Sequence, residues 1–201
     1  PARAGIVHRL DKETSGIIIA AKNLKAQEAL ALQFRQRTTE KFYIALVHGK
    51  PEKTEGVIDT WIARDTNYRQ RFSVSSQGTG KHAVSEYKVL CVLEHEKKKV
   101  SVMLVKIKTG RTHQIRVHMK HLGTPIIGDP VYGTKSKEIF PVTLMLHAYY
   151  LKIHLPHAKS ASEFTAPLPE RIINYLNKYN YSISEPQLLK EIHSWKVILK
   201  N

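Results

Sequence analysis

His82 to Leu93 (HAVSEYKVLCVL) and Lys99 to Thr109 (KVSVMLVKIKT) decide the fold class. Both are long and rich in residues that suit a pleated, half-buried surface. The charged stretch Glu94 to Lys98 between them predicts a hairpin. Working outward, Lys41 to Gly49 (KFYIALVHG) reads as a strand closed by Gly49 and Pro51. Leu144 to Leu155 reads as another strand, and Glu163 to Ala166 as a short one. Gly16 to Ala21 (GIIIAA) carries the signal of a short buried strand. Residues 50 to 80 read as irregular, with Gly56, Gly78, Gly80 and the basic set Arg64, Arg69 and Arg71.

The helical signals are fewer. Asn23 stands at an N-cap position, and Ala26, Leu30 and Phe34 recur every four residues through Leu24 to Arg37. Arg35 and Arg37 fall in the last turn, where cations suit the helix dipole. Thr112 to Leu122 places Ile115, Met119 and Leu122 on one face before Gly123. Pro169 to Leu176 has a proline near its first turn. Ser184 and Gln187 have capping-box spacing, and Leu188, Ile192, Trp195 and Leu199 form one stripe. Strands outnumber helices and pair as hairpins. The expected class is α+β, with a mixed, mainly antiparallel sheet flanked by helices and loops. The expected organisation is one domain over residues 1–180, with a C-terminal amphipathic helix over 181–201 packed on it; a partner-binding helix is the alternative.

There are 32 Lys and Arg against 17 Asp and Glu, a net charge of +15 in 201 residues. Such an excess attracts polyanions and favours nucleic acid or an anionic membrane as partner. No apolar window is long enough to span a membrane, and no secretory signal opens the chain. Cys91 is the only cysteine, which excludes an internal disulfide and a cysteine-based zinc site. An intracellular, reducing compartment fits, and a cytoplasmic monomer is the expectation.

Three constellations carry chemistry. His8-Arg9-Leu10-Asp11-Lys12-Glu13-Thr14-Ser15-Gly16 sets an acid among basic residues ahead of the GIII run. Spacing alone favours a surface ion-pair cluster over a carboxylate held ionised for chemistry. Thr14, Ser15 and Gly16 suggest a tight turn. Thr109-Gly110-Arg111-Thr112-His113-Gln114-Ile115-Arg116-Val117-His118 joins a helix start to Arg and Thr residues, a natural phosphate site. His113 and His118 are five apart with no acid or cysteine near them, a poor metal spacing. Lys41-Phe42-Tyr43 places a tyrosine in a strand, ordinarily a core residue with its hydroxyl at the rim.

Together these stretches resemble the RluA-type pseudouridine synthases. HRLDKETSG matches that family's catalytic loop, KFYIALVHG its tyrosine strand, and TGRTHQIRVH through GTPIIGDPVYG its longest signature. Leu146 to Ala148 (LHA) and Thr165 to Pro169 (TAPLP) match later motifs, so the resemblance spans roughly residues 5 to 175. It implies a catalytic trio of Asp11, Tyr43 and Arg116, with Arg9 helping to hold the target nucleotide out of the RNA stack. The implied reaction cuts the N-glycosidic bond of a uridine, turns the uracil and joins its carbon 5 to the ribose. Asp11 would be the nucleophile, Arg116 would favour its charged form, and the Tyr43 ring would be a flat wall for the base. The RNA-binding set comprises His8, Arg9, Lys12 and Thr14 from the first loop, Arg111 and His113 from the helix start, and Arg64 and Arg71 from the irregular segment. No metal or organic cofactor is expected, since nothing is oxidised and no group is imported.

The expected partner is structured RNA, ribosomal RNA before tRNA, and no membrane. Two departures from the family stand out. Its upstream segment with a Lys-Pro motif and an early strand is absent, as is the RNA-binding S4 domain some members carry. An edge strand of the sheet is therefore expected to be missing. The main rival is a non-catalytic RNA-binding relative acting in ribosome assembly. A metal-dependent nuclease drawing on the 11 histidines lacks the clustered carboxylates it would need.

Overall fold

A computed structural model describes residues 5–66, 68, 70–133 and 143–198, with side chains as far as residue 195. Its elements in chain order are β1 (Ser15–Gly16), α1 (Leu24–Gln36), β2 (Glu40–His48), β3 (Glu55–Arg64), β4 (Phe72–Ser75) and β5 (Lys81–His95). They continue with β6 (Lys98–Ile107), α2 (Gln114–His121), β7 (Leu146–Ile153), β8 (Ser162–Thr165), α3 (Glu170–Asn177) and α4 (Glu185–Ile198). The strands form one sheet in the order β1-β7-β2-β6-β5-β3-β4, with β8 also on β7. The β1–β7 pair is parallel and the other described pairs are antiparallel. This is the mixed, mainly antiparallel α+β class that the hairpin signals pointed to.

The hairpin read from 82–93 and 99–109 is β5 and β6, and its turn is tighter than the charged stretch suggested. Only Glu96 and Lys97 connect the strands, both at positive φ (47° and 64°). Such a turn matches strand twist and is usually built from Asn and Gly, which is why the charged stretch read as a longer loop. β6 is buried from Val100 to Ile107. Apolar residues on both of its faces are what a central strand covered on both sides requires.

Residues 50 to 80 are not irregular throughout. β3 pairs with β5 from Glu55 to Ile62 and with β4 from Trp61 to Arg64. Alternation is present, with Ile58 and Ile62 each 4% exposed. The outward face, however, carries Val57 and Trp61, so apolar and polar residues do not alternate and the period was hidden.

The GIII run is also corrected. Only Ser15 and Gly16 pair with β7, at His147 and Ala148. β8 occupies the rest of that edge, opposite Tyr150 to Ile153, so the residues after Gly16 have no strand to join. Ile18 faces solvent, while Ile17 and Ile19 pack against a small cluster of Leu30, Leu151 and Ile153. Gly16 has φ +116°, and a Cβ there would lie 2.2 Å from the Ala148 carbonyl oxygen. Only glycine lets the two backbones approach this closely.

Helix ends follow the local chemistry. The Asn23 side chain accepts the Ala26 N–H, and Arg37 closes α1 in the left-handed conformation (φ 60°). At α4 the Ser184 N–H donates to the Gln187 side chain (2.9 Å). Leu188, Ile192 and Trp195 then bury themselves in the main core, where the Trp195 ring meets Phe42 edge-on. Because neighbours on a strand alternate, this leaves the opposite face of β2 for Lys41 and Tyr43. Leu199 and Arg69, both singled out in the sequence, lie outside the described residues.

His118 sits in the packing of α2 with no exposed surface, between Ser85 (2.9 Å) and Thr60 (3.0 Å). Burial, with His121 nearby, lowers its pKa to about 4. The folded protein thus holds it neutral while the unfolded chain protonates at about 6.5. Its contribution is complete above pH ~6.5 and is lost as pH falls toward 4, amounting to ~3 kcal/mol. Urea unfolding across that window should show falling stability, and His118→Gln should flatten the slope. An equally steep slope in the variant would refute the assignment.

Candidate active site

The loop that carries Asp11 is fastened at several points. The Thr14 N–H donates to the Asp11 carbonyl (3.0 Å), closing a turn. Ser15 Oγ bonds His147 Nδ1 (2.8 Å), while His147 Nε2 meets the Ala166 carbonyl (3.1 Å). Arg171 donates to the same Ser15 oxygen (2.7 Å) and to the Leu146 carbonyl (3.2 Å). Nε2 must donate to that carbonyl, and in the neutral ring Nδ1 then accepts from the Ser15 hydroxyl. Burial lowers the His147 pKa in the same sense. Upstream, His8 accepts the Ile19 N–H (3.0 Å) and stacks on Phe34 (4.6 Å between centroids). Burial and Lys41 lower its pKa to about 4, so His8 is a neutral wall residue and not a cation reaching for phosphate.

Asp11 projects from this loop into a cleft of about 430 Å³. Its Oδ2 is 3.4 Å from an Arg116 terminal nitrogen, and its side chain keeps 20% exposure. Arg116 is delivered by α2, whose N-cap His113 takes a left-handed conformation (φ 55°). The principal partner of Arg116 is a different acid. Asp129 grips the guanidinium bidentately, Nε to Oδ2 at 2.8 Å and the second terminal nitrogen to Oδ1 at 2.7 Å. The N–H groups of Val131 and Tyr132 also donate to Asp129 Oδ1 (2.9 and 3.0 Å). Burial opposes charge on both groups. The paired hydrogen bonds outweigh it, holding Asp129 below the usual carboxylate range and raising Arg116 further. One Arg116 nitrogen is left to face Asp11.

Tyr43 comes from β2 and lines the same cleft. Burial, then the Asp11 charge, raises its pKa, so its hydroxyl stays protonated. The Arg116 guanidinium lies 5.2 Å from the Tyr132 ring centroid. Tyr132 OH accepts the Phe72 N–H (2.9 Å) and contacts His113 Nδ1 (2.9 Å). Burial and Arg116 lower the His113 pKa, so this ring too is held neutral. Thr14 Oγ1 is buried in the cleft wall with no hydrogen-bond partner among the described residues.

The structure therefore brings together His8, Arg9, Asp11, Thr14, Tyr43, Arg111, His113 and Arg116. Lys12, Arg64 and Arg71 are not on the cleft wall. Arg64 lies over Phe72 (5.4 Å) and Arg71 over the exposed Tyr68 (4.6 Å). Phe72 in turn meets His113 edge-on (5.7 Å), so the start of β4 borders the cleft. The sequence reading missed Asp129 and Tyr132; GDPVYG read as loop, and its acid was the available signal. It also missed Arg35, Arg37 and Lys41 as cleft residues. Asp11 is the only carboxylate lining the cleft among the described residues, against Arg9, Arg35, Arg37, Lys41, Lys108, Arg111 and Arg116. No group of three or more metal-ligating side chains occurs among the described residues. No described helix is long and apolar enough to cross a membrane.

The sheet presents one carboxylate in a basic cleft, and comparison with known proteins gives the class. The family model for RNA pseudouridylate synthase matches residues 1–121, and the chain belongs to that family. It is 43% identical over 187 residues to "Ribosomal large subunit pseudouridine synthase D" of Borreliella burgdorferi, covering 93% of this chain and 55% of that protein. It is 42% identical over 200 residues to an "Uncharacterized RNA pseudouridine synthase" of Aquifex aeolicus, covering 96% of this chain and 57% of that one. The chain thus spans little more than half the length of these relatives. Among solved structures, "Human RNA Pseudouridylate Synthase Domain Containing 1" superposes with a TM-score of 0.76 at 29% identity, covering 94% of this chain and 79% of that one.

Proposed function

We propose that this chain isomerises specific uridines of ribosomal RNA to pseudouridine, with Asp11 as nucleophile. The observation that carries the reading is the lone cleft carboxylate set 3.4 Å from Arg116, in a pocket shared with Tyr43. A relative relieved of catalysis would have no need for that placement. The target base must leave the stack before its atoms can be reached. Arg9, on the cleft wall, is placed to contact phosphates and fill the gap. Tyr43 supplies a flat surface for uracil, and its hydroxyl, held protonated, is a hydrogen-bond donor to the base. Arg116, clamped by Asp129, holds a fixed positive charge beside the nucleophile. Ribosomal RNA is preferred over tRNA because the Borreliella burgdorferi relative is named a ribosomal large subunit pseudouridine synthase.

Carbon 5 exchanges its hydrogen for the ribose bond, so RNA tritiated at that carbon must release tritium to water. Purified protein incubated with labelled large-subunit RNA and, separately, labelled tRNA should release tritium from the ribosomal substrate. RNA affinity should also fall as salt rises, through counterion release. Protein that binds both RNAs and releases tritium from neither would overturn the reading.

A further inference from the structure

Several cations of the cleft have no carboxylate partner within 4.0 Å among the described residues. Lys108 pairs with Glu86 and Arg116 with two acids, whereas Arg37, Lys41 and Arg111 have none. All three line the same cleft, and the Arg37 charge lowers the pKa of both Lys41 and Arg111. We propose that Lys41, Arg37 and Arg111 form a subsite for one RNA backbone phosphate, beside the base seated against Tyr43. The subsite rests on the RNA reading above for the identity of its ligand.

Lys41 and Tyr43 are two residues apart on β2 and both face the cleft. Phosphate at the first and base at the second therefore suit one extruded nucleotide. The Lys41 ammonium lies 5.5 Å from the Phe34 ring centroid. Burial, then Arg37, lowers its pKa to about 8, which marks a cation without a compensating anion. The backbone supports the same conclusion. Arg37 ends α1 at φ 60°, where glycine is the favoured residue, and its guanidinium, besides suiting the helix dipole, lines the cleft. Arg111 uses its Nε on the His82 carbonyl (2.9 Å), which leaves its terminal nitrogens as donors. A phosphodiester carries one charge and two free oxygens, which suits a small group of converging donors.

The test is the salt dependence of binding to an end-labelled oligouridylate, measured by fluorescence anisotropy. Lys41→Gln and Arg37→Gly should each flatten the slope of log affinity against log salt, by up to about 0.7. Arg37→Gly should melt no lower than wild type, since glycine is at home at positive φ. Lys41→Arg should restore the wild-type slope, and Lys190→Gln, which removes an exposed charge on α4, should leave it unchanged. Slopes for Lys41→Gln and Arg37→Gly equal to wild type would remove the subsite. If tritium is released from ribosomal RNA and those slopes are equal, the subsite falls alone. If no tritium is released and the slopes still differ, the isomerase reading falls and the phosphate subsite stands.

Discussion

With Asp11 changed to Asn, the protein is expected to keep its fold and its RNA affinity while pseudouridine formation falls by on the order of 10⁴-fold. The fold should survive because Asn matches the shape of Asp, and Arg116 retains its bidentate hold on Asp129. Binding should survive because affinity for RNA comes from the basic wall and not from this carboxylate. Chemistry should not survive, since an amide is a poor nucleophile and no other carboxylate lines the cleft among the described residues. Tritium release under single-turnover conditions, alongside anisotropy and thermal melting, separates the three quantities. Release at the wild-type rate would remove Asp11 from the mechanism.

Asp129→Asn should be damaging for a different reason. Arg116 and Asp129 keep 6% and 0% side-chain exposure, so the substitution removes the principal counter-charge of a buried guanidinium and leaves it only Asp11, 3.4 Å away. Breaking a buried pair in this way costs about 3–5 kcal/mol. Activity should drop by about a further 10²-fold, the scale expected when a reacting group is misplaced by roughly an ångström. The guanidinium, no longer gripped from behind, would turn toward Asp11 and engage its carboxylate in a closer ion pair. Urea unfolding gives the first effect and tritium release at saturating RNA the second. Unchanged stability would show that the clamp is not holding Arg116 in place.

Long elements with one dominant signal could be read directly from the sequence. β2, β5, β6 and β7 carry runs of β-branched and aromatic residues, and α1 repeats its apolar residues at helical spacing. β3 was lost because Val57 and Trp61 place apolar groups on the face that should have looked polar. The run after Gly16 was over-read because its three isoleucines suit a strand, while β8 takes the β7 edge they would have used. Asp11, Tyr43 and Arg116 were singled out through a family resemblance, and the structure places all three on one cleft. Asp129 escaped because its partner is on a helix 13 residues earlier and the pairing has no periodic trace. The Lys41 group escaped for the same reason, since proximity across α1, β2 and the α2 approach exists only in the folded chain.

The parallel contact of Ser15 with His147 spans 132 positions of sequence. As the chain leaves the ribosome, residues 8 to 16 therefore emerge long before the segment that anchors them. Interactions of such long range assemble slowly, after the local hairpins. The segment bearing Asp11 takes its final position only after the strand that holds His147 has been made, so the cleft is completed no earlier than that strand emerges.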